Sequence, residues 1–413
     1  MGHEVLIVGA GLAGLCCART LHRAGASFQL LEASDAPGGR LRTDEVDGFR
    51  LDRGFQVLLT AYPECRDVLD YGALDLRRFE SGSILMRGGR AFEVSDPFRH
   101  PSRALATLAA PIGTLADKLR ILRLRRRVTA GGFEQVFGGR ERSIEDALRQ
   151  EYGFSGAMID RFFRPFFGGI VLDRQLASSR RMFDFVYRML SVGETAVPAR
   201  GIQAIPEQLA AGLPEGSLRF GARAASVTPT SVTLEGGERL EADAVVVATE
   251  GTAASALVPG VPSPGSMPVA CIYFDAPAPP IDRPVLVLDA DGSGPCNNVC
   301  VPSNLSSALA PPGRALVSAS ILGAADTPDA SLVDAAKAQL REWFGAQVDA
   351  WRTLRVYRIA HAQPAQPPGT LTSTRRAQHF DGVWVCGDHR DTASIHGAMV
   401  SGRRVAEAML SAR

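Results

Sequence analysis

The feature that most constrains this chain is the stretch VLIVGAGLAGL at residues 5–15. Four apolar, mostly β-branched residues without polar alternation read as a strand buried on both faces, the kind a parallel sheet uses. The run ends in GxGxxG, with Gly9, Gly11 and Gly14 at the glycine positions. Gly9 permits the tight turn and Gly11 lets backbone approach a pyrophosphate, while Gly14 lets a helix over residues 12–24 pack closely on the strand. Unpaired N–H groups and the positive dipole end at the start of that helix, around Ala13, favour phosphate. Glycine-rich turns are common, so GxGxxG alone is a weak signal. Its position between strand and helix gives it weight.

Gly25 is expected to end the helix and residues 28–31 to form a second strand. Glu32 at its tip, followed by Ala33, falls about twenty residues past the glycines, where a carboxylate accepts both ribose hydroxyls and disfavours a 2′-phosphate. A second glycine motif then follows, APGGRLRT, with Gly38, Gly39, Arg40 and Thr43. The stretch 8–43 resembles the opening of the FAD-dependent amine oxidase superfamily, which includes amine oxidases, protoporphyrinogen oxidases and phytoene desaturases. The resemblance implies an α/β fold: a Rossmann-like FAD-binding domain with a discontinuous α+β substrate domain. A second glycine pair lets the chain cross the diphosphate, and Arg40 offers it a fixed fork of donors.

The other end of the chain, VWVCGDHRDTASIHGAMVSGRRVAEAML at residues 383–410, resembles the superfamily's closing flavin motif. A strand over 383–386 and a helix from near Ser394 to Leu410 are expected. By resemblance, Gly387 and Asp388 lie by the diphosphate and ribitol, and Ile395, His396 and Ala398 face the pyrimidine end of the flavin. A helix N-terminus there would stabilise the negative charge that reduced flavin develops. GFRLDRGFQVL at 48–58 resembles the family segment beside the isoalloxazine and adds Gly54, Phe55 and Gln56, with Phe55 standing where relatives carry proline or a small residue. The backbone at Ala224 is expected against adenine. VPARGIQAIPEQLA at 197–210 resembles the segment before the second flavin-domain half in desaturases and protoporphyrinogen oxidases.

At 413 residues the chain exceeds one ordinary core. The FAD-binding domain is expected from 1–80, 200–262 and 370–413, and the substrate domain from 81–199 and 263–369. Within these, a hairpin turns at Gly88 and Gly89, a helical insertion runs from Pro97 to about residue 190, and strands fall over 222–227, 231–234 and 244–248. The Pro- and Ala-rich stretch 259–284 is expected to lead into the substrate domain's strands, which a helix over 331–344 interrupts. A net charge of +1 with 22% charged residues shows no global bias toward nucleic acid. Neither a signal-peptide pattern nor a membrane-length apolar run is present, so a cytoplasmic protein is expected. Seven cysteines without a regular framework fit that compartment. Cys296 and Cys300 flank Asn297, Asn298 and Val299, but no His or Cys pair completes a metal site, so no metal is expected.

The catalytic group is not assigned by the sequence; His361, His396 and Gln56 are candidates, and structural roles stay open for both histidines. Aromatics at helical spacing in RFFRPFFGGIVLD, residues 161–173, serve either the core or an apolar pocket. Only Lys118 and Lys337 are lysines among 45 basic residues, both expected in exposed helices, whereas many amine oxidases of the family place a lysine near flavin N5. Cys386 lies inside the closing strand and not in the motif that attaches flavin in monoamine oxidases, so FAD is expected to be noncovalent. The basic stretch DKLRILRLRRRV, residues 117–128, is either a solvated helix face or a peripheral contact with anionic lipid. Its lack of interleaved aromatics argues against a nucleic-acid partner. The reading that follows is an FAD-dependent oxidoreductase taking a hydride from a C–H or C–N bond of a hydrophobic small molecule. The alternative is a non-catalytic lipid- or partner-binding protein on the same fold, as in Rab escort proteins, whose flavin motifs are decayed.

Overall fold

A computed structural model describes residues 3–96, 99–323, 327–372 and 376–412. The expected start of the helical insertion, Pro97, lies outside the described residues. Strand His3–Val8 is central in an eight-stranded sheet, and its unbroken apolar run explains why: Val5, Leu6, Ile7 and Val8 are all buried. It pairs in parallel with Phe28–Leu31 on one side and with Arg239–Val247 on the other. Val383–Val385 adds a parallel neighbour to Arg239–Val247, so both ends of the chain meet in one sheet. Ala224–Thr228 and Ser231–Leu234 continue it as an antiparallel meander.

Helices Leu12–Arg23 and Ile395–Ser411 pack directly on each other. Their approach is so close that a Cβ at Gly402 would lie 1.9 Å from the Ala13 carbonyl oxygen. Gly14 plays the same part toward the strand turn, where a Cβ would lie 1.9 Å from the Gly9 carbonyl oxygen.

The second sheet has seven strands in the order Arg352–Pro364, Ser266–Ala276, Ala315–Leu322, Cys296–Cys300, Leu286–Asp289, Gly82–Arg87 and Arg90–Ser95. Helix Asp329–Phe344 covers one face, where Leu332, Ala336 and Leu340 join Ile272, Phe274 and Val317 in a core. On the opposite face Cys271, Tyr273 and Leu316 pack with Phe49 and Leu51 in a smaller core. Strand Ser266–Ala276 lies inside the Pro- and Ala-rich stretch expected only to lead into the sheet. Its buried CIYF core outweighs the proline content, and Pro268 sits where the pairing with Arg352–Pro364 slips register between Met267 and Val269.

Between residues 101 and 192 the chain is helical, and the aromatic run divides by helical phase. Phe163 and Phe167 are fully buried with Phe183 and Phe185, whereas Phe162 and Phe166 stack on each other at 5.7 Å and line a cavity. Both open readings of that run therefore hold, one for each face. Among the described residues no helix is long and apolar enough to cross a membrane, and no cluster of His, Cys, Asp or Glu could hold a metal ion.

Candidate active site

The tips of the parallel strands open on one cavity of about 1020 Å³. From the opening motif it is lined by Gly9, Gly11, Ala13, Glu32 and Ala33, and from the second glycine motif by Gly38, Gly39 and Arg40. Gly54, Phe55 and Gln56 join them, with Ala224 and, from the closing motif, Gly387, Asp388, Ile395 and Ala398. The two glycine turns are tied together, since the Gly38 N–H donates to the Ala10 carbonyl at 2.8 Å. Gly14 stays out of the lining, its space taken by the strand turn.

Glu32 is 8% exposed and pinned by the backbone. Oε2 accepts the Ala10 N–H at 2.8 Å, and Oε1 accepts the Ser34 N–H at 2.9 Å and its hydroxyl at 2.7 Å. A carboxylate has about four lone-pair sites, so capacity remains for a ligand. Arg40 turns its fork toward protein: Nη2 pairs with Asp388 Oδ1 at 2.8 Å and Nη1 donates to the Ala362 carbonyl at 3.0 Å. That one side chain links the second glycine motif, the closing motif and the second sheet. Gln56, a candidate catalytic group from sequence, donates through Nε2 to the Arg40 carbonyl at 2.9 Å and so supports that link.

At the start of helix Ile395–Ser411, the Ser394 hydroxyl caps the Gly397 N–H at 3.0 Å. Ile395 and Ala398 share the face that lines the cavity. His396, one step further round, does not. It stacks on Tyr62 at 5.7 Å and Phe185 at 5.5 Å, and its Nδ1 accepts the Glu64 N–H at 3.4 Å. His361 is also outside the lining: it is exposed, with Nδ1 2.6 Å from the Ser266 hydroxyl, because the register slip beside it gives the wall to Ala362 and Gln363. Neither lysine is free in an exposed helix. Lys118 lines the cavity while donating to the carbonyls of Leu108 and Ala110, and Lys337 donates to the Trp351 carbonyl at 2.6 Å beneath the second sheet.

Beyond Gly54 the lining combines an apolar group with charged side chains, among them Glu80, Asp96, Arg99, Lys118 and Arg125. Phe55 meets Phe79 edge to face at 6.1 Å, and Met158, Phe162, Phe166, Met182 and Leu190 contribute from the helices. At the surface Leu108, Leu115 and Leu119 line the same cavity while 49%, 66% and 60% exposed. No local pattern marks the wall built by the second sheet, where Val269, Asn298, Ser320, Ile359 and Gln363 face inward.

A parallel sheet with two glycine motifs at its strand tips, opening on one cavity that the second sheet and the helical layer also line, defines a dinucleotide-cofactor protein. Residues 12–410 match the family described as flavin containing amine oxidoreductase, and the chain belongs to that family. It is 28% identical to the chloroplastic protoporphyrinogen oxidase of Nicotiana tabacum over 204 residues, 47% of this chain and 34% of that protein. To the zeta-carotene-forming phytoene desaturase of Myxococcus xanthus it is 28% identical over 281 residues, 59% of this chain and 53% of the other. The chain thus matches between about a third and about half the length of these curated relatives. Putrescine oxidase solved with putrescine superposes with a TM-score of 0.73 at 17% identity, covering 100% of this chain and 99% of that one, which is a shared fold.

Proposed function

We propose that the chain holds FAD noncovalently in this cavity and oxidises a hydrophobic small molecule at a C–H or C–N bond. The observation that carries the reading is the cavity itself, in which both nucleotide motifs share one space with an apolar compartment. Bound FAD supplies the hydride acceptor, N5. Glu32 would take the adenosine ribose, the backbone at Gly11 and Gly39 the diphosphate, and the helix start at Ile395 the pyrimidine end. The aromatic and aliphatic wall from Phe55 to Leu190 excludes water from the reacting bond. Among the described residues no cysteine or histidine lines the cavity, and burial pushes the Cys386 thiol up to about 12, which leaves no evident group for a covalent flavin link. Residues 1–80, 200–262 and 370–413 would then form the cofactor domain, and the rest the substrate domain.

The exposed leucines favour one further element of this reading: a cytoplasmic protein whose cavity mouth rests on an anionic lipid surface, so that apolar substrate enters from lipid. The test of the whole is direct. The purified protein should be yellow and release FAD on acid precipitation, and anaerobic addition of substrates from an amine, porphyrinogen and polyene panel should bleach it. Colourless protein that cannot be reconstituted would favour the non-catalytic binding reading instead.

A further inference from the structure

The cavity wall contributed by the second sheet mixes apolar Val269, Leu286 and Ile359 with polar Ser83, Ser95 and Gln363, the last two hydrogen-bonded to Glu93 and to the Ile170 carbonyl, and at its middle holds a pair of polar cross-strand neighbours. Asn298, on Cys296–Cys300, stands opposite Ser320, on Ala315–Leu322. Asn298 is 4% exposed and Ser320 6%, yet both line the cavity. The register slips between Cys296 and Asn298, so Asn297 is the extra residue of a bulge, a device that re-aims side chains. Asn297 uses its Nδ2 twice, donating to the Pro165 carbonyl at 2.9 Å and to Asn298 Oδ1 at 3.1 Å. That second bond fixes the Asn298 amide with its oxygen satisfied and its NH2 turned elsewhere. Among the described residues neither Asn298 Nδ2 nor the Ser320 hydroxyl has a hydrogen-bond partner. The same wall includes Val269 and Ile359, and Ile359 packs on Gly54 of the segment whose Phe55 and Gln56 also line the cavity.

An amide N–H and a hydroxyl that open on the cavity cost free energy once an apolar ligand displaces water from beside them. We infer that Asn298 and Ser320 form a hydrogen-bonding dyad that selects substrates carrying an oxygen, as carbonyl or hydroxyl, over hydrocarbons of the same size. The inference rests on the substrate reading of this cavity and narrows it: an apolar body with one acceptor group reaching the sheet wall. Sites built to pair a polar group reject analogues lacking it far more strongly than apolar pockets discriminate by size.

Equilibrium dialysis with radiolabelled 2-undecanone, 2-undecanol and undecane tests this on the protein as purified, with FAD content measured on the same sample. Because dialysis reads binding whether or not flavin is present, loss of the dyad and loss of the flavin reading are told apart. Relative to its partition into an apolar solvent, each oxygenated probe should bind at least about tenfold more tightly than undecane. Ser320→Ala should cut that preference severalfold, and the pair Asn298→Leu with Ser320→Ala should abolish it while undecane binding holds or improves. Undecane matching the ketone and alcohol in the unaltered protein, or a preference that survives Ser320→Ala intact, overturns the inference.

Discussion

At the scale of single residues, Glu32 serves the fold and the cofactor site with the same carboxylate. Its Oε2 satisfies the Ala10 N–H inside the glycine turn, so Glu32→Ala should destabilise the flavin-free protein by about 1–3 kcal/mol through an unsatisfied buried donor. It should also remove about 2–4 kcal/mol of FAD affinity, since hydrogen bonds to charged groups contribute about 1.5–3 kcal/mol each and are not additive. Urea unfolding of the apoprotein reads the first effect and FAD titration the second; an unchanged affinity would remove Glu32 from the cofactor site. Gly14→Ala puts a methyl against the Gly9 carbonyl, and a cost of at least about 1–3 kcal/mol is expected from the forced strand–helix separation. Such positions are legible in sequence because a backbone requirement selects the residue type outright. Side-chain direction is not. His396 differs from Ile395 by one helical step and points into an aromatic stack, and His361 loses the wall to a register slip. Asn298 carries no mark at all until the strand register is known.

Among the elements, helix Leu115–Thr129 shows how charge in a sequence misleads about surface. Its Thr114 and Asp117 form the capping box, and the arginines open to either a solvated or a lipid-facing reading divide. Arg120 pairs with Asp117 at 3.1 Å, Arg125 with Asp96 at 2.7 Å and Arg127 with Glu151, while Arg123 and Arg126 are exposed. The outward apolar surface is made instead by Leu115 and Leu119 with Leu105 and Leu108 of the preceding helix, Leu105 being 79% exposed. Helical period was readable from the sequence, but which cations meet carboxylates depends on Asp96 and Glu151 arriving from elsewhere in the chain. Sedimentation with anionic vesicles at low salt should therefore depend chiefly on leucine. Leu115→Ser with Leu119→Ser should leave most of the protein in the supernatant. Arg123→Gln with Arg126→Gln should remove only a salt-sensitive part, about 1 kcal/mol per charge. Protein that never pellets with these vesicles would make the rim a solvated surface and return the substrate to water.

For the whole molecule, the two-motif cofactor half was readable because each motif carries its own strand and helix, whereas the second sheet is assembled from residues 82–95 and 266–364 by pairings that leave no local pattern. The halves share one apolar core, which takes in Val5 and Ile7 of the first sheet and Leu85 and Leu288 of the second, and an ionic cluster beside the second sheet should respond to pH. Glu80, beside the second sheet, is drawn down to about 2 by the Arg283 hydrogen bond, against burial and with help from Arg103. Its folded value lies below the unfolded 4.5, so its contribution is complete above pH 4.5 and is lost as pH falls through about 2. The cluster is partly solvated, so about 1 kcal/mol is expected. His389, folded over Gly387, has neither ring nitrogen paired among the described residues, and burial pushes it down to about 4 although Asp388 pulls upward. A base that resists protonation in the fold loses stability as pH falls from 6.5 through 4, by at most about 3 kcal/mol. Asp52 and Asp184, both raised to about 6 chiefly by burial, act in the opposite sense and gain relative stability over much of the same window. The unaltered curve is therefore a sum, and the differences between variants carry the test. Unfolding free energy measured across this range should fall less steeply between pH 6.5 and 4 in His389→Gln than in the unaltered protein, and less steeply below pH 4.5 in Glu80→Gln. Curves that stay parallel through either window would show that the corresponding group is as accessible to protons in the fold as in the unfolded chain.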